Sequence, residues 1–345
     1  MVKEKTSSKV QGVFKGVPLI ANIYTDNFVY IMIEDRKGSD EIRKFDSDFL
    51  LIDKYVIEYG QGPNECLSPL PMGGYPGNIL IYDEIVKKYY FYNADFSARK
   101  TLDSRGLGHT IPYGSRFSEK QNVLVTAFWE PLTFSHASIA IYARRLVGNK
   151  FTDKKIYNSK LIVFITKELF LVGQPFHFKL IDNFIYLLKS DEYNLIKMDL
   201  DGNIVKQITI KNFARKTFSR QETAGWIKEV GGMNPAEFTF PSELWPACWI
   251  FELPNGFAVG RRNDYKPDKG EWIECDYFNK DLDYLGKIKV PWFRRWNNPI
   301  DGQRYLDYMS FLNDGKFYFV EYKETETDEE YYLTRWRIEE GTASP

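Results

Sequence analysis

The chain has 345 residues, with 46 Lys plus Arg against 47 Asp plus Glu and a net charge of −1. Near-neutrality excludes a broad electrostatic nucleic-acid binder, since phosphate contact needs a positive surplus. A hydrophobic content of 43% beside 27% charge excludes a disordered chain. The 23 Tyr, 26 Phe and 8 Trp favour strands, because aromatic and β-branched side chains suit a pleated, half-buried surface. No apolar run of about 18 residues occurs, so no membrane-spanning helix is expected. No charged-then-apolar leader follows Met1, and the sequence reads either as a cytoplasmic protein or as a mature form written without its leader. Cys66, Cys248 and Cys275 have neither metal-ligand spacing nor the density of a disulfide framework, and are expected as small buried thiols.

A repeat runs the length of the chain. Six times a polar turn rich in Asn, Asp and Gly enters a short apolar strand. In chain order the strands are Phe28–Ile33, Ile79–Tyr82, Val123–Phe128, Phe184–Leu188, Phe257–Val259 and Phe317–Val320. Asn, Asp and Gly tolerate the positive φ of tight hairpin turns, which gives the pattern its mechanism. The strand starts are on average about 58 residues apart, so six repeats account for the chain. Each repeat holds further strand patterns, as in Phe176–Ile181 before the polar turn, then Tyr193–Leu200, the turn Asp201-Gly202-Asn203, and Ile204–Ile210. Four short antiparallel strands per repeat predict an all-β, six-bladed β-propeller in a single domain, residues 1–345. Tyr331–Ile338 is the last strand in the chain, so a strand around Val10–Phe14 is expected to complete the final blade and close the ring. The irregular stretch Lys211–Ser242 includes Phe213–Val230, expected to form a short helix ended by Gly231-Gly232.

A second repeat agrees in register. Pro63-Asn64-Glu65-Cys66-Leu67-Ser68-Pro69 and Pro235-Ala236-Glu237-Phe238-Thr239-Phe240-Pro241 share Pro-x-Glu-x-x-x-Pro at an offset of 172 residues, or three repeats. The segment Gly60-Gln61-Gly62-Pro63-Asn64-Glu65, leading into Gly77-Asn78-Ile79-Leu80-Ile81-Tyr82-Asp83, resembles the blade junction of TolB-like and NHL-like six-bladed propellers. It is most similar to Bacteroides-type exported propellers of unknown function, which carry a Gly-Gln-Gly-Pro-x-Glu signature, with Cys66 standing where an aromatic is usual. The resemblance implies the fold and an exported, periplasmic or outer-membrane-associated location, and no agreed reaction.

Candidate chemistry is sparse. Glu65 and Glu237 recur at matched crossings between blades, as ligand contacts or as braces accepting backbone N–H bonds. Arg261 and Arg262 form one basic pair, and Trp292, Arg294, Arg295 and Trp296 form a cluster at the crossing from the fifth blade to the sixth. Arg docks carboxylate or phosphate bidentately and Trp offers a flat face to a sugar ring, so these residues point to a glycan or anionic ligand; packing between blades is the alternative. Asp83, Glu130 and Asp191 lie where a calcium-type ion could sit, and similar gluconolactonase-type propellers hold a divalent ion at the channel mouth. No Asp-x-Asp-x-Asp-Gly loop is present. His109, His136 and His177 fall in different blades, and no nucleophile elbow accompanies Ser135. The sequence therefore favours a non-catalytic binding or scaffold protein of the bacterial envelope, with no cofactor, that presents one face to a glycan, peptide or protein. The alternatives are a calcium-type hydrolase or lactonase at the channel mouth, and a purely structural ring.

Overall fold

In the computed structural model the described residues are 2–6, 23–25, 28–35, 39–62, 65–75, 78–93, 95–104, 112–118, 120–131, 136–147, 150–162, 176–190, 192–211, 217, 219–229, 247–253, 255–261, 272–291, 310–311, 316–324 and 329–337. Their strands pair into six four-stranded antiparallel sheets. By contact the chain divides into two units, Met1–His109 with Leu306–Pro345, and Thr110–Tyr305.

The first unit holds three sheets. One runs β2 (Ile23–Thr25), β3 (Phe28–Asp35), β4 (Ser39–Phe45), β5 (Leu51–Glu58), and the next β6 (Pro69–Tyr75), β7 (Asn78–Asp83), β8 (Lys88–Asn93), β9 (Ala98–Asp103). The third joins both ends of the chain in the order β1 (Val2–Thr6), β24 (Glu329–Arg337), β23 (Phe317–Glu324), β22 (Ser310–Phe311). The strand beside β24 is thus Val2–Thr6, with Val2 opposite Arg337 and Thr6 opposite Thr334, rather than the expected Val10–Phe14, which lies outside the described residues. Val10–Phe14 is the more apolar segment. An outermost strand, however, meets solvent along one edge and accepts a polar sequence such as Val-Lys-Glu-Lys-Thr.

The second unit also holds three sheets. They are β10 (Pro112–Ser118), β11 (Val123–Pro131), β12 (His136–Val147), β13 (Lys150–Ile162); β14 (Phe176–Ile181), β15 (Phe184–Lys189), β16 (Asn194–Met198), β17 (Ile204–Thr209); and β18 (Ala247–Leu253), β19 (Gly256–Arg261), β20 (Trp272–Asn279), β21 (Tyr284–Pro291). Between β17 and β18 lies the helix α1 (Arg220–Glu229). It is shorter than the expected Phe213–Val230 because Ser219 and Glu222 have capping-box spacing, which starts the helix late.

The middle strands explain the composition. In β15 Ile185, Tyr186, Leu187 and Leu188 are all buried, as are Ile79 to Tyr82 in β7. Side chains alternate across a strand, so Ile185 and Leu187 pack with Val123, Val125 and Ile141 of the preceding sheet. Tyr186 and Leu188 instead join Ile250, Phe257 and Val259 of the following one. The same rule puts Ile79 and Ile81 with Tyr30 and Met32. The cores of these paired sheets are therefore continuous, at about 1.5–3 kcal/mol for each large apolar side chain fully buried.

One turn recurs between the third and fourth strands of four sheets: Asp46–Leu50, Asn93–Ser97, Asp199–Asn203 and Asn279–Asp283. Its fourth residue donates its N–H to the carbonyl of the first, at 3.0 Å (Phe49), 2.9 Å (Phe96), 3.1 Å (Gly202) and 3.1 Å (Leu282). The Oδ1 of Asp46, Asp199 and Asn279 accepts two further N–H groups within its own turn. The fourth residue is left-handed in every case, with φ of 66°, 61°, 88° and 61°. A left-handed residue other than glycine costs about 1–2 kcal/mol, yet Phe96 and Leu282 are only 4% and 2% exposed. Phe96 stacks on Tyr55 at 5.4 Å and meets Tyr30 edge-on at 5.9 Å, both on the preceding sheet. Burial of an aromatic ring therefore offsets the strained backbone. At Gly202 a Cβ would lie 2.8 Å from the carbonyl oxygen of Ile156, so only glycine fits.

Phe96→Ala should lower stability by about 3 kcal/mol by opening a cavity between two sheets, read as a lower midpoint in urea unfolding. Phe96→Gly, which relieves the backbone as it removes the ring, should fall below wild type as well but above Phe96→Ala.

Candidate functional site

The signature segment Gly60–Cys66 is a closed turn. Cys66 donates its N–H to the Glu58 carbonyl at 3.0 Å, and Gly60 donates to the Cys66 carbonyl at 3.1 Å. The Glu65 carboxylate folds back and accepts the Gly62 N–H at 2.7 Å. A Cβ on Gly62 would lie 2.9 Å from that carboxylate, and one on Gly60 would collide with it. The carboxylate of the glutamate that follows the two glycines thus occupies the space that side chains there would take. Asp83 lies beside this turn. Its Oδ2 accepts the Leu67 N–H at 2.7 Å, and its Oδ1 accepts those of Ile85 and Val86 at 3.0 and 3.1 Å. Both oxygens are directed at backbone donors, so Asp83 holds two segments of chain together. Cys66 lies beneath, among Tyr55, Tyr90 and Tyr92. Burial, with Asp83 adding to it, pushes its thiol up to about 12, which keeps the sulfur protonated and a poor nucleophile.

Arg261 ends β19 and reaches the third strand of its own sheet. Its Nε donates to Asp276 at 2.7 Å, and its Nη1 is 4.0 Å from Glu274. Glu274 also pairs with Lys287 on β21. Asp276 is 1% exposed and accepts a second hydrogen bond from the Tyr193 hydroxyl of the preceding sheet. Burial works against the Arg261 charge, but the bond to Asp276 and the nearby Tyr193 and Glu274 outweigh it and hold the guanidinium above its ordinary value. Burial and Asp276 likewise raise the Tyr193 phenol. Arg261 is thereby engaged between two sheets.

A third set lies on the first strands of the three sheets of the second unit. Arg116 stands opposite Val125, Lys179 opposite Tyr186, and Glu252 opposite Phe257. Val125 faces the β14–β17 sheet; Tyr186 and Phe257 face one another across the next interface, with ring centroids 5.1 Å apart. Lys179 and Glu252 therefore point toward each other from adjacent first strands, and all three side chains are half-buried. Burial pushes the Glu252 carboxyl up, while the positive charges of Lys179, Arg116 and Lys280 pull it back in part. A clasp fixes this end of the sheets: the Ser118 hydroxyl donates to Asn183 at 2.5 Å, and Lys280 pairs with Asp182 at 2.5 Å. Lys280 also offers its carbonyl to the Tyr186 hydroxyl at 2.7 Å. These three residues were absent from the sequence candidates, because each is a lone charge in an otherwise ordinary strand.

Among the sequence candidates, Glu237, Arg262, Trp292, Arg294, Arg295, Trp296 and Asp191 lie outside the described residues, and Glu130 is placed in β11 by its backbone alone. Glu65 and Asp83 lie side by side in the first unit, and Arg261 lies in the second. Among the described residues no three His, Cys, Asp or Glu side chains gather as a metal site, Cys66 and Cys275 are buried free thiols, and no helix is long and apolar enough to cross a membrane.

No family model matches the chain, and no curated protein matches it. Solved structures do. A member of the DUF4221 family from Bacteroides vulgatus is 12% identical with a TM-score of 0.56 over 97% of each chain. A candidate exported protein from Bacteroides fragilis is 12% identical with a TM-score of 0.52, covering 98% of this chain and 95% of that one. At such identity the likeness shows the fold, an all-β propeller with antiparallel four-stranded blades.

Asp276→Ala should cost about 3–5 kcal/mol, because it leaves a half-buried guanidinium and the Tyr193 hydroxyl without their shared acceptor. The double variant Asp276→Ala/Arg261→Met should recover part of that loss in chemical unfolding, which separates an unpaired charge from lost packing.

Proposed function

We propose that this chain is a six-bladed, TolB-like or NHL-like propeller of the bacterial cell envelope, folded as one domain, that binds a glycan, peptide or protein at one face without catalysing its reaction. The six four-stranded sheets support the blade count, and β1 seated on β24 supports closure of the ring by the opening residues. The likeness to a candidate exported Bacteroides protein supports export.

The observation that carries the binding reading is the set of Arg116, Lys179 and Glu252 on three successive first strands, half-buried and fixed by the clasp around Asp182 and Asn183. Charged side chains on three successive first strands give these sheets a polar surface of the kind that orients a polar ligand. Arg262, Trp292, Arg294, Arg295, Trp296 and Glu237 are proposed as further ligand contacts, with the aromatics as stacking platforms for a sugar or peptide.

Thermal-shift screening of glycans and peptides tests it. A bound ligand should raise the melting temperature of the wild type, by linkage to the folded state, and the shift should shrink in Lys179→Ala and in Arg294→Ala/Trp296→Ala. Equal shifts in the wild type and both variants would remove the assigned surface.

A further inference from the structure

We infer that the second unit docks on an anionic lipid surface through the outermost strands of its three sheets, β13, β17 and β21. These are not the first strands assigned above to the ligand, and the inference stands independently of that assignment.

Charge is unevenly shared among the outermost strands. β13, β17 and β21 carry seven lysines against one acid, Asp153. In the first unit β1, β5 and β9 carry five basic residues against four acids. Every exposed edge needs some charge to keep other strands from pairing with it. That need is the same in both units, so it does not account for a surplus confined to one. The acids of neighbouring elements are engaged elsewhere or with single lysines. Asp153 is met by Arg144 of β12 at 3.4 Å, Asp201 by Arg145 at 2.8 Å, and Asp281 by Lys197 at 2.8 Å. Asp199 accepts N–H groups of its own turn. Lys206 pairs with Asp283 at 2.7 Å, and Lys287 with Glu274. Lys154, Lys155 and Lys289 come in addition to these pairs, and all three are exposed. Lys155 lies over the Tyr142 ring at 5.5 Å, a contact that leaves its charge in place.

The same strands show apolar side chains to water. Ile204 and Val205 open β17 at 55% and 56% exposed, and Tyr284 and Leu285 open β21 at 53% and 52%. Successive side chains point to opposite sides of a strand, so each strand start is bare on both sides. Distances tie the strands into one surface. The turn before β17 packs on β13, where a Cβ on Gly202 would lie 2.8 Å from the Ile156 carbonyl oxygen. The turn before β21 is held to β17 by the pair of Lys206 with Asp283.

The side-chain chemistry selects lipid over protein. Protein interfaces are enriched in Arg and depleted in Lys, and these three strands contain no Arg. Ammonium groups on flexible stems suit phosphates spread over a plane. Such stems keep the charge at the headgroups while apolar neighbours reach the acyl boundary. Tyr284 supplies the amphipathic ring that settles at that boundary.

Co-sedimentation of the full chain with vesicles tests this, using phosphatidylcholine alone and phosphatidylcholine with phosphatidylglycerol at about three to one. The expected result is binding to the anionic vesicles, little to the neutral ones, and release toward about 1 M salt, where the screening length is about 3 Å. Lys154→Gln/Lys155→Gln should weaken binding roughly twentyfold, at about fivefold per lysine. Val205→Ser/Leu285→Ser, which keeps every charge, should weaken it about tenfold. Lys54→Gln/Lys100→Gln removes the same charge from outermost strands of the first unit and should bind as the wild type does. The replaced residues of the second unit are exposed, so urea midpoints of those variants should stay near that of the wild type.

No binding to the anionic vesicles, equal binding to the neutral ones, or a loss in Lys54→Gln/Lys100→Gln as large as in Lys154→Gln/Lys155→Gln would each overturn the inference. An oligoglutamate peptide bound more tightly than the anionic vesicles would overturn it in favour of an acidic protein partner.

Discussion

A sheet whose middle strands are apolar on both sides cannot stand alone in water. Ile185 and Leu187 need one neighbour and Tyr186 and Leu188 need another. Everything else in the architecture follows from that demand. It sets the repeat of about 58 residues, because each repeat must supply one complete slab and present it to two others. It explains the aromatic content, since Tyr and Phe bridge the gap between twisted sheets with large buried area at modest entropic cost. It also explains where polarity went. Some acids and bases sit where two sheets meet, as Arg261, Asp276 and Tyr193 do in tying one slab to the next.

Those polar ties and the buried turn residues work on the same interfaces by different physics. The rings of Phe96 and Tyr55 and the side chain of Leu282 give non-directional attraction that fixes the spacing of the sheets. Ion pairs such as Lys197 with Asp281, at 2.8 Å, and Arg145 with Asp201, at 2.8 Å, give direction and so fix the register along the strands. The exposed pairs contribute little energy each. Their placement matters more than their strength, because a slip of one sheet past another would part several at once. The buried Asp276 is a different case: its value lies in the penalty for losing it.

The strands were legible because their punctuation is chemical. Phe176–Ile181 has the same bounds in the sequence reading and in the structure, since Asp182-Asn183 can hardly be anything but a tight turn, and both adopt positive φ, 49° and 66°. The left-handed Phe96 and Leu282 were not legible. A hydrophobic residue at such a position is locally unfavourable, and only the neighbouring sheet makes it pay. The outermost N-terminal strand was missed for a related reason: its pattern is that of an edge, and apolarity pointed to Val10–Phe14 instead. The brace role of Glu65 was half visible, because Gly60 and Gly62 signal a close approach without naming what approaches. Arg116, Lys179 and Glu252 lie more than sixty residues apart, and no local motif could join them. Register alone does.

The five-residue turn that lodges its fourth residue in the sheet before it also constrains how such a chain can diversify. An insertion there would pull a plug from a socket, so length at that end of the sheets is frozen. The connections from second to third strand vary in length, from the three residues at 36–38 to the ten at 262–271, although Tyr193 anchors the one at 190–193 in the following sheet. Changes in length are therefore better tolerated at that opposite end, while the plugged end keeps the sheets in step.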